Sequence, residues 1–433
     1  MNVPEQMKKN LNKAIAAALE ANAENLPRYA FSRNTPLTAE NMVKLLLSMR
    51  GGSLNSELHD AGMTVTKSAF SRRRKLLSSN VFEDVLMNFN ALCTDKRTFK
   101  GYRVLAIDGT AVNMPRNPKA PTFMQNASNP KGYNQFHVNP LYDVMNKTYY
   151  AAVIQPQPKM DEIGALMFLL AWYDFDEKTL IVADRGYESY AVFAELLEKP
   201  NVDFLIRVRD GYNAMKPLAN LPKEEFDRRI SFTITTSQAK SHKDNGYVLV
   251  QNRPNPKHGL HRPAQQKWWR PSPYPMTLRV VRILLDSGEY ETLVTSLPDS
   301  FTADDIRELY HARWGIETAF RELKYGLGLL HLHGKSDEYV RQEIWASMIM
   351  ANLCNRISGA LELPARQKAA YAYRVNETMA IKLVREFYRA EGTDGEKLMR
   401  EIARYTEPVR PGRADERNLK AKGFVGFCYR VAA

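Results

Sequence analysis

The protein has 433 residues, 44% of them hydrophobic, which is enough for a buried core in about two to four domains. Its formal net charge of +13 favours a polyanionic partner, nucleic acid first and an anionic membrane surface second, over a merely basic soluble enzyme. The apolar run at 165–172 is too short to span a membrane, and the three scattered cysteines exclude a disulfide framework and a zinc cluster.

Residues 1–95 are predicted to be mostly helical and to contain a candidate helix-turn-helix. The segment SLNSELHDAG (53–62) has Ser53 as a helix cap and Gly62 as its end, and a second helix is predicted within TVTKSAFSRRRKLLSS (64–79). A helix, a glycine turn and a basic helix are typical of helix-turn-helix DNA binding. A basic surface helix in a helical bundle is the alternative. The candidate DNA contacts are Lys67, Arg72, Arg73 and Arg74.

A mixed α/β sheet is predicted from residue 102 onward. Strand-like runs alternate with helical segments at 161–173 and 190–199. Such alternation indicates a mixed sheet with helices on both faces. The predicted strands are YRVLAIDGT (102–110), QFHVNPLYDVM (135–145), TYYAAVIQP (148–156), TLIVADRGY (179–187) and VDFLIRV (202–208).

Residues 209–300 are predicted to form an all-β insertion. Strand-like runs at 232–236, 247–253, 276–285 and 290–297 are separated by turn-rich, basic segments. One of these segments is the loop HGLHRPAQQKWWRPSPYP (258–275).

Two aspartates stand where predicted buried strands end. Asp108 follows VLAI, and Asp184 follows LIVA. A carboxylate at such a place is costly to bury unless it is paired or binds a cation. Two strand ends can lie side by side, and with Glu317 from a packed helix they would hold two Mg²⁺ ions, which prefer oxygen ligands. The alternative is that each aspartate is a turn residue, since Asp-Gly at 108–109 is also a turn signal.

The segment YHARWGIETAFRELK (310–324) is predicted to be an amphipathic helix. At about 100° per residue, four of its polar residues fall within an arc of roughly 60° beside an apolar stripe. These residues would border the core, where side chains are held firmly and still meet a ligand. An ordinary helix with a solvated charge stripe is the alternative. The four are Tyr310, Arg313, Glu317 and Lys324.

Together these residues resemble a known family, the bacterial DDE insertion-sequence transposases with a YREK signature. The four polar residues at 310–324 match that signature in residue type and spacing. IDGT around Asp108 and VADRGY around Asp184 resemble the two other family blocks, in the expected order. The resemblance covers roughly residues 50–355.

The resemblance implies a ribonuclease H-like catalytic core that is interrupted by a β insertion. It implies Asp108, Asp184 and Glu317 as the catalytic triad, which binds two Mg²⁺ ions, with Mn²⁺ as a substitute. It also implies DNA contacts near the cleaved end. The residues concerned are Tyr310, Arg313 and Lys324. Further DNA candidates from the sequence itself are Arg185, directly beside Asp184, and the basic WWR loop, in which Trp268 or Trp269 would hold open a distorted end.

We therefore expect a cut-and-paste DNA transposase that acts as a homodimer on its element ends and on target DNA, in the bacterial cytoplasm and without a membrane partner. A ribonuclease H-fold nuclease or resolvase without strand transfer, and an inactive DNA-binding relative, are the alternatives. The predicted division is a helical DNA-binding region (1–95), the core in two parts (96–208 and 301–360), the β insertion (209–300) and a helical C-terminal region with a possible dimerisation role (361–433).

Overall fold

The computed structural model describes most of the chain. The described residues are 2–27, 31, 35–49, 51–94, 96–210, 214–250, 268–285, 287–363, 371–390, 392 and 394–410. The first part of the basic loop at 258–275 and the last part of the predicted C-terminal region, residues 411–433, lie outside these residues. In the described parts of the chain, no helix combines the length and apolar character needed to cross a membrane.

The fold is a mixed α/β arrangement around one large sheet, as predicted at this level. A separate pair of short strands, β12 and β13, lies near the C-terminal end of the described chain. The strands are β1 (Arg103–Ile107), β2 (Thr110–Met114), β3 (Phe123–Asn126), β4 (Asn129–Asp143), β5 (Thr148–Pro156), β6 (Thr179–Ala183), β7 (Val202–Val208), β8 (Phe226–Thr235), β9 (Val248–Leu249), β10 (Tyr274–Leu284), β11 (Tyr290–Thr295), β12 (Ala372–Val375) and β13 (Thr406–Val409).

The order of strands places β1 and β6 at the centre of the sheet. Strand β4 pairs antiparallel with β1 and, on its other side, with β5. Strands β1, β6 and β7 are mutually parallel neighbours in that order. The residues of β1 and β6 are all buried, which explains their continuous apolar runs.

Helices cover both faces of this sheet. The helices are α1 (Val3–Ala21), α2 (Ala39–Ser48), α3 (Leu54–Asp60), α4 (Lys67–Arg74), α5 (Ser79–Ala91), α6 (Glu162–Trp172), α7 (Tyr190–Glu198), α8 (Lys240–Asp244), α9 (Ala303–Ala312), α10 (Gly315–Arg321), α11 (Asp337–Gly359), α12 (Glu377–Arg389) and α13 (Gly395–Arg404). Helices α6 and α7 share a core with Leu105, Ile107 and Ile181, whereas α9 packs on the opposite face with Val104 and Leu180.

The helices near the two ends of the chain form one packed body around α11. Residues of α1, α2, α5, α11 and α12 belong to the same hydrophobic core, which also includes Phe136 and Tyr149 from the sheet. Ser336 caps α11 by accepting the N–H of Tyr339. Ser53 caps α3, as predicted, and Thr66 caps α4.

The predicted β insertion is continuous with the central sheet and contains one short helix. Its strands do not form a sheet of their own, because β11 pairs antiparallel with β7 and the central sheet continues through β10 and β8. The segment also contains the short helix α8, so it is not all-β. The propensities of separate strands cannot reveal this continuity, which is set by long-range pairing.

Candidate active site

Asp108 and Asp184 lie next to each other at the carboxyl edge of the central sheet. In the parallel pair of β1 and β6, Ile107 is registered with Ala183, so the residues that follow are at the same level. The Oδ1 atom of Asp108 accepts the Gly109 N–H at 2.8 Å, and that of Asp184 accepts the Gly186 N–H at 2.8 Å. The prediction that these two strand ends lie side by side is confirmed.

The pKa of Asp108 reports how its surroundings treat the charged carboxylate at this edge. The pKa of Asp108 is raised from 3.8 to about 6, mainly by burial and also by the charges of Asp184 and Glu162. The Gly109 N–H and Arg313 lower this pKa in part. A carboxylate with a raised pKa is one whose charge the surroundings stabilise incompletely, and a bound cation would supply that stabilisation.

The signature segment is bent, not one continuous α-helix. Helix α9 ends at Ala312, α10 begins at Gly315, and the chain continues into a π-helical turn at Glu322–Gly326. The predicted arc of roughly 60° assumed unbroken α-helical geometry and is therefore wrong in detail. Bends and π-turns of this kind are set by tertiary packing and often occur at functional sites.

Arg313 lies at the bend and connects the signature segment to the strand ends. Its Nη1 atom is 3.9 Å from Asp108 Oδ2, and its Nη2 atom is 3.5 Å from Glu317 Oε1. The side chain is 7% exposed, and its Nε atom has no hydrogen-bond partner among the described residues. The structure thus places Asp108 beside Asp184 and links Asp108 to Glu317 through a buried guanidinium.

Tyr310 and Lys324 border this site in different ways. Tyr310 is buried, and burial raises the pKa of its hydroxyl, which has Arg313 and Asp184 among its charged neighbours. That hydroxyl has no hydrogen-bond partner in the described chain. Lys324 lies in the π-helical turn, and partial burial lowers the pKa of its ammonium group.

The carboxylate oxygens of Asp108, Asp184 and Glu317 are suitable ligands for a hard divalent cation, although the three side chains do not converge on a common point. Carboxylate oxygens are the ligands that Mg²⁺ prefers. Within the described residues, no group of three His, Cys, Asp or Glu side chains is close enough to hold a metal ion. Arg313 stands between Asp108 and Glu317, at 3.9 Å and 3.5 Å from their carboxylate oxygens.

The sequence reasoning missed two residues at the site, Glu162 and His137. The Nε2 atom of buried His137 lies 3.0 Å from Glu162 Oε1. Glu162 is also a charged neighbour of Asp108. The only sequence signal was an acidic pair, Asp161 and Glu162, at the start of a predicted helix, and acids are ordinary in a first helical turn.

The basic helix α4 places its predicted DNA contacts unequally. Lys67 and Arg72 are exposed, and Arg73 is half-buried with its guanidinium over the Phe31 ring. Arg74 is 2% exposed, and its Nη1 atom lies 2.8 Å from Glu343 Oε1. The position of Arg74 contradicts a DNA contact, because its guanidinium is bound inside the protein.

The other predicted DNA contacts also differ in exposure. Arg185 is exposed directly beside Asp184. Trp269 is 50% exposed, but Trp268 is 6% exposed and packs edge-on against Tyr274. Stacking of Trp268 on DNA is therefore contradicted, because its ring belongs to the core between α7 and the extended sheet.

The chain matches one protein family over most of this region. The Transposase DDE domain family matches residues 99–353, a segment that includes both strand ends and the bent signature helix. The protein belongs to this family of DDE transposase domains.

Individual relatives are similar over smaller shares of their length. The transposase InsG for insertion sequence element IS4 of Escherichia coli (strain K12) is 24% identical over 302 residues, which are 67% of this chain and 60% of that relative. The transposase for insertion sequence element IS421 of Escherichia coli is 36% identical over 84 residues, or 19% of this chain and 23% of that relative. The chain thus spans less than two thirds of these relatives. A cryo-EM structure of the piggyBac transposase synaptic complex with hairpin DNA has a TM-score of 0.41 at 12% identity, covering 95% of this chain and 84% of that one.

Proposed function

We propose that the protein is a DNA transposase of an insertion sequence, which binds the terminal inverted repeats, hydrolyses the 3′ ends and joins them to target DNA. One observation carries the proposal. Asp108 and Asp184 lie side by side on parallel strand ends, and Arg313 connects Asp108 to Glu317 from the signature helix. Membership of the DDE domain family agrees with this assignment of the three acids.

The proposed core is ribonuclease H-like. The support is the strand order β5-β4-β1-β6-β7, in which β4 runs antiparallel to its two neighbours and β1, β6 and β7 run parallel. Helices α6 and α9 cover opposite faces of these strands. In this core the two aspartates come from neighbouring strand ends, and the glutamate comes from a helix across one face.

The proposed cofactor is a pair of Mg²⁺ ions, with Mn²⁺ as a substitute. Asp108, Asp184 and Glu317 would hold them, because these acids provide hard oxygen donors; the raised pKa of Asp108, whose charged form is disfavoured by burial, supports a bound cation. Bound divalent ions would activate the attacking oxygen and stabilise the leaving oxygen of the phosphodiester.

The protein side chains would bind and orient the DNA. Arg313 and Tyr310 have an unpartnered Nε and hydroxyl respectively within the described chain, so both can donate hydrogen bonds to a phosphate. Exposed Arg185 and half-buried Lys324 would add positive charge beside the acids. Lys67, Arg72 and Arg73 on α4 and exposed Trp269 would contact DNA farther along the ends.

The proposed partners are double-stranded DNA and a second copy of the chain. Simultaneous action on two element ends requires two active sites, which a homodimer supplies. This activity would take place on the bacterial chromosome, in the cytoplasm.

The test uses the purified chain with labelled DNA from both flanks of its gene and a supercoiled target plasmid. We expect Mg²⁺-dependent nicking at the inverted repeats, followed by joining to the plasmid. Asp184→Asn is the control, because the amide can still accept the Gly186 N–H while the negative charge is lost. Cleavage without joining would instead establish a nuclease or resolvase, and DNA binding without any nicking would establish an inactive relative.

A further inference from the structure

We propose that Glu162 is a fourth acidic residue of the cation site and that His137 is its positioning residue. The inference deepens the proposed function, because it concerns the same metal centre and rests on it. It assigns to the first turn of α6 a role in divalent cation binding that the three signature acids do not include.

The carboxylate of Glu162 lies directly over the glycines that follow the two strand-end aspartates. A Cβ atom added at Gly109 would clash with Glu162 Oε1 and with His137 Nε2. A Cβ at Gly186 would lie 3.7 Å from Glu162 Oε2. The Glu162 carboxylate therefore lies close to both strand ends. Its Oε1 atom is next to Gly109, which follows Asp108, and its Oε2 atom is near Gly186, two residues after Asp184.

Glu162 approaches the strand ends from the face opposite to Glu317. Helix α6 packs on the face formed by Leu105 and Ile181, whereas α9, which leads to Glu317, packs on the other face. The two aspartates at the sheet edge are thus flanked by one glutamate from each side. This arrangement would surround a cation at the edge with oxygen donors from both faces of the sheet.

His137 holds Glu162 in this position from the neighbouring strand. It lies on β4 opposite Ala111, three residues beyond Asp108, and its side chain is 8% exposed. Its Nε2 atom meets Glu162 Oε1 at 3.0 Å, and its Nδ1 atom has no partner among the described residues. A buried imidazole that donates to a carboxylate fixes the rotamer of that carboxylate, as outer partners of metal ligands commonly do.

A separate observation marks the same cluster as a binding place. The Tyr187 side chain is fully buried, and its hydroxyl has no hydrogen-bond partner within the described chain. The charged groups that surround this hydroxyl are Glu162, Asp108, Asp184 and Arg313. A buried donor without a partner is costly, so its position among four charged groups indicates that a bound species, such as cation-held water, completes its hydrogen bonding.

The experiment titrates Mn²⁺ into the full-length, metal-free protein without DNA and measures binding by calorimetry. We expect Glu162→Gln to weaken Mn²⁺ binding about tenfold or more, as loss of a ligand or its close partner does. The matched control is Asp161→Asn. Asp161 is the adjacent acid, but its Oδ1 atom caps α6 by accepting the Gly164 N–H, and asparagine caps equally well. We expect this control to bind Mn²⁺ like the wild type.

The positioning role of His137 has its own readout in the same titration. His137→Ala should weaken Mn²⁺ binding, and His137→Gln should restore part of it, because the glutamine amide can still donate to Glu162. Melting temperatures measured in parallel separate this effect from a loss of folding. If the alanine and glutamine variants lose affinity equally, His137 has no positioning role.

The outcomes separate this inference from the proposed function. Unchanged Mn²⁺ binding in Glu162→Gln, with weakened binding in Asp108→Asn and Glu317→Gln, would overturn the fourth acid and leave the transposase proposal intact. If Asp161→Asn weakens Mn²⁺ binding as much as Glu162→Gln does, the loss reflects only the change in local net charge. That result would also overturn the role of Glu162 as a fourth acid. Unchanged binding in Asp108→Asn and Glu317→Gln would remove the metal centre itself and, with it, both proposals.

Discussion

At the scale of single residues, Asp108 is a carboxylate whose charged form is disfavoured by burial. Burial is the main reason that the pKa of Asp108 is raised, and Asp184 and Glu162 add repulsion. Arg313 offsets only part of this, since its nearest approach to Asp108 is 3.9 Å. The placement therefore makes physical sense if the acids serve binding and not stability.

The pH dependence of stability tests this interpretation of Asp108. Its folded-state pKa of about 6 exceeds the ordinary 3.8, so the folded state binds the proton more tightly than the unfolded state does. The stabilisation that protonated Asp108 contributes is fully present below about pH 4, and it is lost as pH rises through about 6. Asp108→Asn should therefore raise the unfolding free energy of the metal-free protein at neutral pH, by at most about 3 kcal/mol.

Urea unfolding of the wild type and Asp108→Asn at both ends of this pH range provides the measurement. The difference between them should shrink toward acid pH, where the wild-type carboxyl is protonated. If Asp108 were only a turn residue with a favourable charge, the variant would instead be less stable at neutral pH.

Glu317 gives the corresponding prediction for chemistry. Glu317→Gln should abolish nicking and strand transfer together, because both steps use one cation site. End binding without metal should persist or tighten, since one negative charge that faces the phosphates is lost. Glu308→Gln, on an exposed position of α9, is the control and should cleave normally. Near-normal Mg²⁺-dependent cleavage by Glu317→Gln would refute the assignment of this residue.

At the scale of elements, strand ends were predictable and helix details were not. An uninterrupted apolar run that stops at an acid, as before Asp108 and Asp184, locates a buried strand and its end from local pattern alone. The bend at Arg313 depends on packing against the sheet, which no local pattern contains. Glu162 was missed because an acid in a first helical turn is common without any site.

The basic residues of helix α4 do not all face solvent, so their number in the sequence overestimates the DNA-binding surface. Exposed Arg72 and buried Arg74 therefore give a pair of contrasting predictions. Arg72→Ala should weaken binding to the element ends and reduce the salt slope by roughly one unit, the amount expected for one lost phosphate contact of an exposed arginine. Arg74→Ala should instead lower the unfolding free energy by about 3–5 kcal/mol, because it leaves Glu343 buried without its ion-pair partner.

Salt-dependent DNA binding and urea unfolding, measured on both variants, check the pair. An Arg72→Ala protein with unchanged affinity and slope would move end recognition away from α4. An Arg74→Ala protein with normal stability would contradict the buried ion pair.

At the scale of the whole molecule, the regions that the sequence pattern separates do not form independent domains in the structure. The predicted boundaries near 95 and 361 follow changes in periodicity, but the helices on either side of the core pack into one hydrophobic cluster with α11. The insertion likewise continues the central sheet through β11 and β7. Such long-range pairing is invisible in local patterns, so domain limits are the least predictable feature here.

The ion pair of Glu57 and Arg389 tests whether the two ends of the chain unfold as one unit. It joins α3 to α12 with an Nη2–Oε2 distance of 2.6 Å, and the side chains are 2% and 11% exposed. Arg389→Met should lower the unfolding free energy by about 3–5 kcal/mol, because Glu57 is left charged and buried. Because the N- and C-terminal helices share one hydrophobic core, we expect calorimetry of Arg389→Met to show a single unfolding transition at a lower temperature. Lys44→Gln, which breaks the exposed pair with Glu40, is the control and should cost about 1 kcal/mol or less. Two separate transitions, of which only the C-terminal one moves, would show instead that residues beyond 361 fold as their own domain.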